Sequence, residues 1–231
     1  MIEITVYIHD NISMKKQCIA IILGLAGLSV FAQATELAPG ARANFKGLLN
    51  NPAMVQPAVV TPMGKNWFKM ETDAHAFTDQ VSVKQVADVL LDLENQEKFF
   101  NGKRSKLTAA LVSRGAQGDT VDFVMTSILG PFKINTPYRT LVKTIENTES
   151  KFILDIRQLD SNSNAKIKNM VAIRYAERVT IDGKPYTYIR IYSIDEADAS
   201  ILPGAKGILE KNAAPINVEA IEMIIAAAKT K

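Results

Sequence analysis

The chain has 231 residues, 47% of them apolar and 22% charged, and a formal net charge of +3. That composition supplies a sizeable core, and the charge is spread along the chain with no basic block suited to nucleic acid. A single cysteine, Cys18, excludes any intrachain disulfide, so stability must come from packing.

Residues 15–34, KKQCIAIILGLAGLSVFAQA, join two lysines (Lys15, Lys16), an apolar run over 19–31 and the tripeptide Ala32-Gln33-Ala34. That is the order of a secretory signal peptide, and a run of about 13 residues is short of the roughly 18 needed to span a bilayer. Cleavage is expected after Ala34, which places the mature chain in the periplasm; a retained anchor is the competing reading. Cys18 begins the apolar run, where a lipid-modified cysteine would have to follow it. Residues 1–13 carry Glu3 and Asp10 in front of this signal, so Met14 reads as the start of translation and residues 1–13 as an over-extended beginning.

Residues 35–65 hold Pro39, Pro52, Pro57 and Pro62 and no sustained period, which suggests a lead segment wrapped on the domain, with a short helix over 41–49. From Trp67, WFKMETDAHAF alternates as a strand does. In the next stretch, SVKQVADVLLDLENQEKFF, Ser82 and Gln85 form a capping box. Val83, Val86, Val89, Leu90 and Leu93 recur at helical spacing. This amphipathic helix ends near Phe99 and Phe100, with Asn101-Gly102 as its stop.

The period then shifts toward two. Strands are expected over 106–113 and 120–127 about the turn RGAQGD, then over 132–145 after Gly130-Pro131, and over 151–159 after the turn at 147–150. The polar stretch 160–166 is a loop, and a last hairpin over 171–180 and 185–194 turns at Ile181-Asp182-Gly183-Lys184. Helical character returns over 204–212 and 216–229, with Pro215 expected to kink or interrupt it. Consecutive hairpins followed by an oily helix give an α+β fold: an antiparallel sheet of about seven strands covered by a long C-terminal helix.

That order of elements, with the helix motif carrying Asp92, Glu94, Asn95, Phe99 and Phe100 and the ending AIEMIIAAAK, resembles the START-like superfamily over residues 66–231. The resemblance implies a helix-grip fold with a cavity between sheet and final helix that holds a hydrophobic ligand. Such a fold hosts carriers, enzymes and chaperone regulators alike, so it does not fix an activity.

Alternation puts Phe152, Leu154 and Ile156 on one face of their strand, and Val121, Phe123 and Met125 on one face of theirs. These are cavity-wall candidates or plain core, as are Ile221 and Ile225 of the last helix. Tyr186, Tyr188, Arg190 and Tyr192 alternate along one strand. There Arg190 can hold a carboxylate, phosphate or carbonyl while the tyrosines cover an apolar ligand. Ile189, Ile191 and Ile194 compete for the inward face, and if they win, the Tyr/Arg side is a solvated outer face. Arg139 and Arg174 are further polar anchors. Loop 127–137 and the stretch 202–207 are expected to border or hinge the entrance.

Catalytic signals are sparse. His75, beside Asp73, is the one histidine of the mature chain and reads first as structural and second as a general acid or base. Asp88, Asp92 and Glu94, and Asp195, Glu196 and Asp198, read as solvated surface. No metal site, cofactor or catalytic set is expected. The leading expectation is an exported, non-enzymatic carrier whose partner is a small hydrophobic molecule or lipid. Transient membrane contact is compatible with it, and nucleic acid is not expected as a partner. A cyclase- or hydratase-like enzyme and a protein-interaction module are the alternatives.

Overall fold

In the computed structural model the chain divides into two units, Met1–Ala38 and Pro39–Lys231, and all that follows concerns the second. The structure describes Ala38 and residues 40–129, 131–159, 166–200 and 202–231. The expected signal peptide, its cleavage point, the start at Met14 and most of the loop 160–166 lie outside the described residues.

The described elements run α1 (Phe45–Leu48), β1 (Ala53–Met54), β2 (Val59–Gly64), β3 (Trp67–Thr78), α2 (Val83–Leu91), a 3₁₀ turn (Leu93–Asn95), α3 (Gln96–Phe99), β4 (Ser105–Ser113), β5 (Asp119–Leu129), β6 (Phe132–Asn147), β7 (Lys151–Gln158), β8 (Ile167–Ile181), β9 (Lys184–Asp198) and α4 (Ala205–Ala228). Among the described residues nine strands form one antiparallel sheet in the order β1-β3-β9-β8-β7-β6-β5-β4, with β2 also on β3. The count exceeds the expected seven because the lead segment supplies β1 and β2. Both pair with the outer edge of β3, where Pro62 can sit because an edge strand does not need every N–H.

Local chemistry accounts for the elements. Ser82 accepts from the Gln85 backbone and Gln85 returns to the Ser82 N–H at 2.9 Å, so α2 begins at a complete capping box. The helix is shorter than its periodicity suggests. It leaves α geometry at Asp92 (φ −79°, ψ 65°) and continues as the 3₁₀ turn and α3. Asn95 donates to Asp92 at 2.8 Å and Gln96 to the Val89 carbonyl at 3.1 Å, fastening the break. In the last hairpin, Asp182 and Gly183 both have positive φ (52° and 76°), the two-residue geometry whose twist matches that of the strands. Register shifts at 62/64, 111/113, 144/146 and 168/171 add twist and bend the strands around the final helix.

Pro215 does not interrupt α4, which is one helix of 24 residues with the proline inside. The proline removes a helical hydrogen bond to the Lys211 carbonyl. Among the described residues, two apolar clusters hold α4 to the sheet. The larger joins Ile221, Ile224, Ile225 and Ala228 to α2 and to Ala74, Ala76, Phe152, Ile189 and Ile191. The smaller joins Leu209 to Val60, Leu129 and Leu202. Among the described residues, no helix is long and apolar enough to cross a membrane.

Candidate ligand cavity

Between the two clusters the side chains do not meet, and space remains beneath the middle of α4. It has two lobes, of about 110 Å³ and about 140 Å³. The first is apolar, with Leu90, Leu93, Phe100, Leu107, Phe123 and Leu154 on its wall. The second mixes Met70, Leu129 and Leu209 with Thr72, Ser193 and Asp195. Tyr138, Arg174, Met125, Met170, Ile216 and Asn217 line both lobes and form a waist between them.

The waist and second lobe carry the polar chemistry. Asn217 donates to Thr72 Oγ1 at 2.5 Å, and Thr72 and Ser193 share a hydrogen bond at 2.7 Å, so α4, β3 and β9 are tied together here. Among the described residues, Arg174 has one weak hydrogen bond, 3.4 Å from Nη1 to the neighbouring Ile173 carbonyl. Burial lowers its guanidinium to about 10 against the opposing influence of Tyr138, so it stays a cation at neutral pH. Burial likewise raises the Tyr138 phenol, with Arg174 opposing and Asp195 reinforcing the shift. Asp195 Oδ1 is buried without a hydrogen-bond partner, and burial pushes its carboxyl up to about 7. As whole residues Tyr138, Arg174 and Asp195 are only half-buried, yet their ionising groups behave as enclosed. The cavity reconciles the two, because surface that faces an internal space is accessible without being open to bulk solvent.

The rim is clasped. The Glu219 carboxylate of α4 accepts from three successive backbone N–H groups, those of Lys103 (2.8 Å), Arg104 (3.0 Å) and Ser105 (3.1 Å). Such a run of amides is an anion cradle. Past the end of α4, Lys231 reaches Asp92 at 2.9 Å and lies over the Phe99 ring. The acidic and aromatic residues of the α2–α3 motif thus help fasten the C-terminus beside the cavity.

Comparisons with known proteins agree with this architecture. No family model and no curated protein matches the sequence. Among solved structures, human STARD10 aligns at a TM-score of 0.50 and 14% identity, over 74% of this chain and 72% of its own. An aromatase/cyclase from a Streptomyces (TM-score 0.46, 12% identity, 69% of this chain and 93% of that one) is also similar. So is a START superfamily protein of Mycobacterium smegmatis (0.43, 10%, 69% and 94%). The fold is START-like. At these identities the likeness concerns architecture alone.

Within the START-like frame the candidates from sequence divide in three. Phe123, Met125, Leu154 and Ile156 line the cavity. Phe152, Ile221 and Ile225 face the same way but lie in the closed cluster at its side. Tyr188, Arg190 and Tyr192 stand on the opposite face of the sheet. The register decides this: Ala74 and Ala76 pair with Ile191 and Ile189 toward α4, while His75 and Phe77 pair with Arg190 and Tyr188 away from it. The isoleucines take the inward face, but the other face is not solvated either. Tyr188, Arg190 and Tyr192 are at most 4% exposed.

They belong to a polar network of their own. Arg190 makes a two-pronged contact with Asp73 at 2.8 Å through Nε and Nη2, and Tyr192 donates to Glu71 at 3.0 Å. His75 Nδ1 lies 2.7 Å from the Tyr188 hydroxyl, and its Nε2 lies 3.0 Å from Asp73 without the alignment of a hydrogen bond. Burial opposes the charge on Asp73, but His75 and Arg190 outweigh it and hold the carboxyl below its ordinary value. Phe45 of α1 packs edge-on to Phe77 at 5.1 Å and to Tyr186 at 4.9 Å on this face. His75 therefore has no access to the cavity through its own strand face, and the acid–base role considered for it has no substrate there.

Arg139 is committed to Asp122 in a two-pronged surface pair at 2.7 and 2.8 Å, whereas Arg174 sits at the waist. Asp195 corrects the expectation of a solvated acidic patch, since only its neighbour Asp198 pairs outward, with Lys166 at 2.8 Å. Tyr138 and Asp195 escaped the sequence reading. The available signal for Asp195 was its place in the alternation Ile189, Ile191, Ser193, Asp195. No group of three or more metal-ligating side chains occurs among the described residues.

Proposed function

We propose that this START-like domain is a carrier that takes one small lipid-like molecule into the cavity under α4 and holds it in an aqueous compartment. The observation that carries the reading is the cavity itself, with an apolar lobe opening onto a waist of enclosed polar groups. Each Å² of apolar ligand removed from water is favourable by about 25 cal/mol, and a few converging polar groups orient what enters. The signal-like stretch at 15–34 supports export, with the periplasm as the working compartment and transient membrane contact as the loading step.

Entry requires part of the wall to move. The first half of α4 is the weaker part, because it starts at Gly204 (φ 65°) without a side-chain cap and contains Gly207 and Pro215. Native mass spectrometry of protein taken from its own compartment, followed by lipid extraction, tests the carrier reading. A stoichiometric small apolar molecule is expected. Ligand-free protein that also takes up no member of a lipid panel refutes it.

A second reading, an enzyme of the cyclase or hydratase kind, draws its support from Asp195, a cavity carboxyl able to exchange a proton near neutrality. Asp195→Asn abolishing turnover of a bound ketone while leaving its binding intact is the outcome that separates enzyme from carrier. A sealed, fully packed core would favour the interaction-module reading, and the cavity weighs against it.

A further inference from the structure

We propose that the ligand is an amphiphile bearing one anionic oxyacid group, a carboxylate or a phosphate monoester, that pairs with Arg174 and Tyr138 at the waist while its chain fills the apolar lobe. This rests on the carrier reading and adds the chemical class of the cargo.

The first ground is an unanswered charge. No carboxylate of the described residues lies within ion-pair distance of Arg174, and its one hydrogen bond is the 3.4 Å contact to Ile173. Arg190 and Arg139, by contrast, each meet an aspartate through two N–H groups. An enclosed cation without a counter-charge is costly, and the guanidinium fork matches the two oxygens of a carboxylate or phosphate. An anion arriving with the ligand supplies what the protein omits.

The second ground is the company Arg174 keeps. Tyr138 is close enough to couple to it electrostatically and makes no hydrogen bond to a described residue, so its O–H is available to the same anion. Among the described residues Asp195 is the one carboxyl on either wall, and burial opposes its ionisation. The lining thus leans positive around a space whose other walls are aliphatic and aromatic, a distribution that suits an anionic head on an apolar chain.

The test uses the full chain and the neutral fluorescent probe N-phenyl-1-naphthylamine, displaced in turn by tetradecanoate, tetradecyl phosphate and tetradecanol. At least one of the two acids should displace the probe about tenfold to a hundredfold more tightly than the alcohol, the range expected of a charge-assisted pair in an enclosed site. Which acid wins identifies a carboxylate or a phosphate head. Arg174→Met should bring that acid down to the level of the alcohol, each competitor being read against the variant's own probe affinity, Arg174→Lys should restore part of the gap, and Tyr138→Phe should narrow it less than Arg174→Met. If the probe enters but alcohol and acids compete equally in the unaltered protein, the anionic class is wrong and the carrier reading survives. If the probe and all three competitors fail to bind, both fall.

Discussion

Residues 221–228 of α4 set Ile221, Ile224, Ile225 and Ala228 on the sheet and leave no room, whereas residues 209–220 set Leu209, Asn212, Ala213, Ile216, Asn217 and Ala220 over the same strands and leave two lobes of space. The difference begins in the strands. Moving toward the cavity along the inward faces, β3 passes from Ala76 and Ala74 to Thr72, β9 from Ile189 and Ile191 to Ser193 and Asp195, and β8 from Ala176 to Arg174. The changes fall at neighbouring levels because Thr72 pairs with Ser193 and Ala74 with Ile191. The closed half is assembled from groups that gain by touching one another. The open half is assembled from groups that require a polar partner, and α4 meets that need only at Asn217.

If that contrast is right, equal truncations in the two halves should have unequal costs. Ile224 is fully buried in the closed cluster, so Ile224→Ala should cost about 2–5 kcal/mol through lost transfer and a new void. Ile216 already borders empty space, and Ile216→Ala should cost less than about 1.5 kcal/mol. Urea unfolding with unchanged slope decides between them; equal losses would mean that the two halves are packed alike.

The next effect is electrostatic and confined to the open half. A carboxyl raised from 3.8 to about 7 is protonated in the folded chain while the unfolded chain has released its proton. The stabilisation is thus complete below pH about 4 and is lost as pH rises to about 7, by at most about 4 kcal/mol. Asp195→Asn removes that slope and should make the protein more stable than the unaltered chain at pH 8, with little difference at pH 4. The carboxyls held below their ordinary value, Asp73, Asp92, Asp122 and Asp198, titrate at lower pH and are common to both proteins. They cancel in the comparison. A pH-independent gap between the two proteins would place Asp195 in solvent.

Much of the contrast is legible in the sequence alone, but unevenly. The capping box at Ser82, the hairpin turn at Asp182-Gly183 and the order of strands follow from local chemistry, and with them the START-like fold. The inward faces of β5 and β7 were legible too, because Val121, Phe123 and Met125, and Phe152, Leu154 and Ile156, alternate with sets that each hold a charged residue, Asp122 on one strand and Asp155 and Arg157 on the other. On β9 both sets are buried, Tyr188 at 0% and Ile189 at 1% exposure, so alternation has no polarity to read. What settles β9 is the small pair Ala74 and Ala76 on its neighbour, which admits α4. β1 and β2 were hidden by prolines that an edge tolerates, and Asp195 by acidic neighbours that point to solvent.

A smaller effect on stability than that of Ile224→Ala or Asp195→Asn bears most directly on how the open half is kept shut. Gly102 has room for no side chain. A Cβ there would lie 2.5 Å from Glu219 Oε2 and 2.6 Å from its Cδ. Because that carboxylate ends a flexible side chain, Gly102→Ala is relieved by expelling it from the amides of Lys103, Arg104 and Ser105, at a cost of about 1–2 kcal/mol at a rim open to water. Asn217, Ala220 and Ser105 of the cavity wall are the immediate neighbours of this clasp, so the same change should speed release of bound N-phenyl-1-naphthylamine several-fold. Glu219→Ala removes the carboxylate directly. Combined with Gly102→Ala it should add almost nothing further, since both changes undo one contact. Fully additive losses would show that Gly102 and Glu219 act separately, and that the clasp is not what holds α4 over the cavity.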